Sequence, residues 1–308
     1  MQDSVATILG SLVPVFALIA LGHVLYRAQM PGNAFWPQLE RLVYYILFPA
    51  LLVETLGTAS VDETRILPVA AAVLLVLAAM TLVVLALRRL MPVDGPGFTS
   101  IYQGAIRFNT YIGVAAAQAV YGTQGVVTAA LTLAVLIPAV NVLSVAVLTR
   151  HAGGAASPAT VVRGIVRNPL ILACVAGIVL NLGGIGLPFG TADILEITGR
   201  AALPLGLMTV GAGLRLRVNM ADGLAVAWSS LFKLALMPLI AFAMARLLGL
   251  SLLETQILVL FTALPTATSA YILARQLGGD HTLLATILTA ETVLSAATLP
   301  LALLLAGL

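Results

Sequence analysis

Residues 66–87 read "ILPVAAAVLLVLAAMTLVVLAL" without one charged side chain. Wound as a helix, such a run reaches across about 30 Å of hydrocarbon. In lipid, backbone N–H and C=O groups must be paired inside a helix or inside a closed barrel. The run lacks the alternation of polar and apolar residues that a barrel strand shows, so a helix is the remaining solution. Similar runs recur along the chain, and charged residues make up only 9% of it, against about 25% in soluble domains. The fold class is therefore an all-α polytopic membrane protein.

Ten transmembrane helices fit the hydropathy, near residues 5–26, 39–59, 66–88, 99–121, 124–149, 169–187, 192–213, 224–247, 253–277 and 282–306. Arginine placement orients them. With the N-terminus outside, the inner loops and span ends collect Arg27, Arg41, Arg88, Arg89, Arg150, Arg163, Arg167, Arg215, Arg217 and Arg275, while Arg65 and Arg246 lie on the outer side. This predicts a multi-pass protein of the inner (plasma) membrane with both termini on the extracytoplasmic side. The first apolar run follows Asp3 rather than a basic n-region and is too long for a cleavable signal peptide. The stretch "RHAGGAASPATVVRGIVRN" (150–168), rich in Ala, Gly and Ser, reads as a cytoplasmic linker. It divides the chain into halves, 1–149 and 169–308, of five spans each. "LFPALLVETLG" (47–57) is echoed by "ALPLGLMTVGAG" (202–213), and the polar "RFNTYIG" (107–113) falls opposite "LPTATSAY" (264–271). Two copies of an odd-numbered unit must cross the membrane in opposite senses, which is the inverted repeat of many secondary transporters.

The polar stretches in spans 4 and 9 carry the chemistry. Pro265 lacks an N–H and clashes with the preceding turn, so span 9 should open there. Thr266, Thr268 and Ser269 then supply hydroxyls, as Asn109 and Thr110 do in span 4. Two half-helix N-termini meeting near midplane, each with free N–H groups and a partial positive charge, suit a carboxylate. Arg107 lies about 12 Å inside span 4, where a charge is costly and either serves as a counter-charge or snorkels to the interface. Lys233, the chain's one lysine, sits deep in span 8 and can titrate. It would neutralise a substrate carboxylate or pair with an acid. Glu291 in span 10 could carry a proton, hold a sodium ion with Thr292 and Ser295, or pair with Lys233. Asn141, after Pro138 in span 5, is a candidate ion or substrate ligand, or an interhelical hydrogen-bonding group. Glu54 lies near the outer end of span 2, where a solvated role fits.

Five stretches together resemble the auxin efflux carrier family, the bacterial relatives of plant PIN-type auxin carriers. They are "VPVFALIALGHVLYR" (13–27), "LERLVYYILFPALL" (39–52), "RFNTYIG", "RNPLILACVAGIVLNLGGIGLP" (167–188) and "ALPTATSAYILARQLGGD" (263–280). The resemblance implies a fold like that of the bile-acid/sodium symporters. Spans 4 and 9 would be crossed, discontinuous helices. A transport domain of spans 3–5 and 8–10 would move against a scaffold of spans 1, 2, 6 and 7, in an elevator motion, with a possible homodimer through the scaffold. It also implies small organic anions as substrates, carboxylates such as malate or malonate or an auxin-like acid. One departure is notable: family members often carry Pro shortly after the glycine of span 4, whereas "GVAAAQ" (113–118) has none. That leaves open whether span 4 breaks as sharply as span 9.

Other classes fare less well. No His-Glu-x-x-His, Gly-x-Ser-x-Gly or Gly-x-x-x-x-Gly-Lys-Ser/Thr occurs, so hydrolytic and ATP-driven chemistry lack their signatures. His23, His151 and His281 are scattered, so no metal site, cofactor or nucleic-acid partner is expected. A cation/proton exchanger of related inverted-repeat fold is the alternative, but it would want carboxylates at the crossing. The expectation is a secondary active carrier of an organic anion, not an enzyme, with H+ or Na+ as coupling ion. Its substrate contacts would be Arg107, Asn109, Thr110, Lys233, Pro265, Thr266, Thr268 and Ser269, and its coupling site Glu291, Asn141 and Thr292.

Overall fold

The computed structural model describes residues 2–59, 63–153, 158–188, 190–215 and 222–307. Arg217, placed above among the inner arginines, and part of the 150–168 linker lie outside the described residues. Every regular element described is helical. Six helical stretches among the described residues are long and apolar enough to cross a membrane: Ile8–Arg27, Arg65–Leu90, Gly95–His151, Thr191–Gly213, Gly223–Leu247 and His281–Leu305. Two shorter apolar helices, Pro169–Leu182 and Leu252–Thr262, accompany them.

The departures from simple rods have identifiable causes. The expected second span is α2 (Phe35–Leu42), a π-helical turn (Val43–Leu47) and α3 (Phe48–Thr58), after α1 (Gln2–Arg27). The eighth is α11 (Gly223–Leu231), a π-helical turn (Phe232–Leu236) and α12 (Met237–Leu247). Each π turn runs directly into an X-Pro pair, Phe48-Pro49 and Met237-Pro238. A proline cannot donate to the carbonyl four residues back and its ring crowds that carbonyl. The helix widens instead: Phe48 N–H bonds Val43 O and Met237 N–H bonds Phe232 O, five residues back.

Span 4 is interrupted despite its missing proline. α4 (Glu63–Ala86) leads through a short 3-10 turn to α5 (Gly95–Ile106), which begins on an Asp94 cap. The chain leaves helical geometry at Arg107 and Asn109 and resumes as α6 (Thr110–His151), which is itself bent at Gly122 (φ 62°). Span 9 is α13 (Leu252–Thr262), a non-helical stretch 263–267, and α14 (Thr268–Leu277), before α15 (His281–Leu305). The remaining helices are α7 (Pro158–Val166), α8 (Pro169–Leu182), α9 (Thr191–Arg200) and α10 (Ala202–Gly213). Nearly all of α5 and α13 is buried, including polar Gln103, Thr255, Gln256 and Thr262. Irregular backbone at membrane depth is tolerated where protein rather than lipid surrounds it.

Helix pairing is close where glycine allows it. α1 packs along α10, and α3 packs along α8 and α9. A Cβ on Gly211 would stand 1.8 Å from Ile19 O, and one on Gly22 would stand 2.1 Å from Met208 O. The α1–α10 contact is therefore backbone against backbone, the small-residue packing that membrane helices favour. Gly211→Ala should destabilise the protein by about 1–3 kcal/mol or more through overpacking, seen as a lowered Tm in detergent. Gly10→Ala, with open space around its Cβ, should leave Tm unchanged or raise it, since alanine favours the helix.

Candidate functional site

The interrupted segments touch, and the groups freed by the breaks can be accounted for one by one. Asn109 N–H donates to Pro265 O at 2.8 Å, joining break to break. Asn109 Oδ1 accepts from Tyr111 N (3.1 Å) and Ile112 N (3.3 Å), capping the N-terminus of α6. Arg107 N–H bonds back to Gln103 O at 2.9 Å, closing the end of α5. The start of α14 is different: its N-cap, Ala267, offers no side-chain acceptor. Ala270 N–H turns back to Ala267 O at 3.0 Å, and the positive end of the helix dipole carries no side-chain cap.

In front of the crossing lies a cavity of about 690 Å³. Arg107, Asn109, Thr110, Tyr111, Ala267, Thr268 and Ser269 line it on the side of the two breaks. Glu40, Arg41, Tyr44 and Asn141 also line it, as do Asn168, Gln276 and Leu277, which follow Arg167 and Arg275 in the sequence.

Arg107 dominates its chemistry. The side chain is 8% exposed. Nη1 donates to Asn141 Oδ1 (3.1 Å) and Nη2 to Ser269 Oγ (3.0 Å), both neutral acceptors. Among the described residues the ion pairs are Arg65–Glu254 and Arg200–Glu196, so no carboxylate balances Arg107. Glu40 is in the cavity but engaged elsewhere: its Oε1 accepts from Thr268 Oγ1 at 2.9 Å. The site thus combines a buried guanidinium, hydroxyls, and an uncapped helix N-terminus. Such a set binds carboxylates through paired N–H donors.

The sequence-predicted residues divide into two groups. Arg107, Asn109, Thr110, Thr268, Ser269 and Asn141 gather around the cavity, Asn141 as a partner of Arg107. Pro265, Thr266, Lys233, Glu291 and Thr292 do not line it. Pro265 contributes its carbonyl to the crossing. Thr266, Lys233 and Glu291 are fully buried behind the crossing, and the Thr292 hydroxyl is turned to Leu288 O at 2.7 Å. Sequence reasoning missed Glu40, Tyr44 and Gln276. Glu40 and Tyr44 sit in "LERLVYY", where the charges read as an inner-interface helix. No local signal shows that α2 and the π turn face α14. Among the described residues no three His, Cys, Asp or Glu side chains gather to hold a metal ion.

An all-helical membrane protein with paired interrupted helices and a polar cavity beside them belongs to the class of membrane transporters. Comparison with known proteins is specific. Residues 7–303 match the family model described as "Membrane transport protein" (Mem_trans), and the chain belongs to this family, that of the auxin efflux carriers. A protein of Rhizobium meliloti (strain 1021) named "Putative malonate transporter" is 28% identical over 306 residues, covering 95% of this chain and 94% of its own. An "Uncharacterized transporter" of Methanothermobacter thermautotrophicus is 27% identical over 300 residues, covering 94% and 96%.

Replacing Asn109 tests the cap. Asn109→Ala should cost about 1 kcal/mol, read as a lower Tm of the purified protein, whereas Asn109→Ser, which keeps an acceptor oxygen, should recover most of it.

Proposed function

We propose that the protein is a secondary carrier of a small organic anion, working by alternating access. The observation that carries this reading is Arg107, a buried guanidinium at the floor of an open cavity whose hydrogen bonds go to neutral groups alone. Burying a charge at membrane depth costs about 2.5–3.5 kcal/mol on insertion scales. A substrate carboxylate supplies the missing charge. The second carboxylate-binding element is the uncapped start of α14, next to Ser269. The malonate in the name of the Rhizobium meliloti relative gives the first substrate to test: two carboxylates on one carbon, matched to two donor groups.

The ten-span inverted repeat is part of this reading. Counting α2–α3, α9–α10, α11–α12 and the interrupted pairs as single crossings, and dividing α6 at Gly122, the chain crosses ten times. Its packing supports a pseudo-twofold relation. The first span of one half lies along the second span of the other in both senses: α1 on α10, and α8 on α3. These four form the scaffold, and α4–α6 with α11–α15 form the moving part. Gln276, Leu277 and Asn168 line the cavity, next to Arg275 and Arg167 on the side that arginine placement assigns to the cytoplasm. This is the inward-facing state of the cycle, in an inner-membrane protein with both termini outside.

The test is equilibrium binding of malonate and longer dicarboxylates to purified protein, followed by uptake into proteoliposomes. Arg107→Ala should weaken dicarboxylate binding by about 2 kcal/mol or more, some thirtyfold in Kd, and Arg107→Lys should recover only part of it because a bidentate fork is lost. Unchanged binding in Arg107→Ala would sink the proposal. A second expectation concerns sidedness. In a Cys174→Ser background, Gln276→Cys should react with a membrane-impermeant maleimide supplied from the cytoplasmic face, and substrate should slow the reaction. Labelling from the outer face alone would reverse the assigned orientation.

A further inference from the structure

Behind the crossing, sealed from the cavity, lies a second polar cluster that substrate contacts leave unexplained. Glu291 of α15 is 0% exposed. Its Oε1 accepts from Ser229 Oγ at 2.8 Å, and its Oε2 accepts from Thr266 N–H at 3.0 Å. The Thr266 hydroxyl stands 2.7 Å from Glu291 Oε2 and 2.9 Å from Gly104 O. That hydroxyl owns one proton and is offered two acceptors. The Gly104 carbonyl can only accept, and it sits in the last turn of α5, where no amide four residues on is in the helix to serve it. When Thr266 donates to Gly104, the remaining close contact to Glu291 Oε2 is a hydrogen bond only if Glu291 carries a proton and donates it to Thr266 Oγ1. When Glu291 is ionised, the Thr266 proton turns to the carboxylate and the α5 carbonyl loses its cap.

We infer that Glu291 is the proton-binding site of the transport cycle, and that the Thr266 hydroxyl relays its protonation state to the end of α5, three residues before Arg107. The inference rests on the carrier reading above and adds its coupling ion. Gly104 is built for this contact: a Cβ there would meet Ser229 Oγ at 2.0 Å and Glu291 Oε1 at 3.2 Å. The relay has an arm toward α14 too, because the Thr266 amide that binds Glu291 lies two residues before the α14 N-terminus.

The charges around the cluster are few. The π turn brings Lys233, 0% exposed, whose Nζ finds Met237 Sδ at 3.5 Å and no carboxylate within ion-pair distance. α5 brings Tyr102, occupied with Thr81 Oγ1 at 2.9 Å, and α11 brings no titratable group. α13 brings Glu254, paired with Arg65. α14 brings Tyr271 and Arg275, α1 brings His23, Tyr26 and Arg27 in its last turns, α12 brings Arg246 in its last turn, and α15 itself adds His281 at its start. Among the described residues Lys233 is thus the one cation in the same buried layer. With Lys233 charged, protonating Glu291 leaves an uncompensated positive charge behind the crossing, which favours an anion in front of it. Proton and anion then bind together. Sodium fits less well: the oxygens of the cluster are at hydrogen-bonding distance from one another, with a lysine as neighbour.

Two measurements on the purified full-length protein test this. Infrared difference titration without substrate, between about pH 5 and pH 8, should show a protonated-carboxyl band that disappears on alkalinisation and is absent from Glu291→Gln. If the glutamine variant fails to fold, Glu291→Asp keeps an acid and should shift the band. In parallel, wild-type malonate affinity should rise on acidification by up to about tenfold per pH unit beyond what malonate's own titration gives. Glu291→Gln should lose that excess and hold the acid-side affinity at all pH values. Thr266→Val should keep the infrared band yet lose the excess pH dependence, and Thr266→Ser should restore it. A band that is missing, that survives Glu291→Gln, or that moves with sodium overturns the inference. Absence of malonate binding in the wild type would remove the proposed substrate while the infrared result still decides whether Glu291 takes up a proton.

Discussion

The pairing of backbone groups at the two helix breaks is the constraint on which the structure depends. A membrane helix that stops at midplane strands donors and acceptors where water is scarce, and each stranded group costs several kcal/mol. Here the breaks supply one another. Asn109 donates to the Pro265 carbonyl, the Asn109 side chain caps α6, and the Thr266 hydroxyl covers Gly104 O. Such closure requires α5 and α13 to be enclosed by other helices, which explains why almost every residue of these two segments is buried. The start of α14 is the exception, with no side-chain cap and with Thr268 and Ser269 lining the cavity.

Two polar layers follow from that crossing. In front, Arg107 reaches Asn141 and Ser269 and faces the cavity. Behind, Glu291 gathers Ser229 and Thr266 away from it. Both layers hold the same short pieces of chain. Residues 104–109 and 265–269 supply contacts on each side. A change of charge in one layer therefore acts on the backbone that shapes the other, without any long pathway through the protein.

Much of this was legible in the sequence, for physical reasons. Apolar runs and charge depletion determine the helical membrane class, and polar residues inside such runs marked Arg107, Asn109, Thr266 and Glu291 because hydrocarbon tolerates them only with partners. The interruption of span 4 was harder to read. Proline announces a break through its missing N–H, as Pro265 does, but an asparagine that caps the following helix does the same work with no such signature. The π turns at Val43–Leu47 and Phe232–Leu236 precede Pro49 and Pro238, and proline alone does not distinguish a kink from a widened turn. Glu40 was invisible as a site residue, because its role depends on which distant helix its own faces. Lys233 was singled out by its depth in the membrane and Thr266 by its hydroxyl beside the Pro265 break, and neither property says on which side of the crossing a side chain lies.

The hydrogen bond from Thr268 to Glu40 joins the first residue of α14 to a helix on the opposite wall of the cavity. A guest carboxylate that seeks the α14 N-terminus meets an acid of the protein's own already holding the adjacent hydroxyl. Under the proposed function, filling the cavity and freeing α2 from α14 would be thermodynamically linked, each easing the other by the same factor. One side-chain hydrogen bond thus ties the α14 wall of the cavity to the α2 wall.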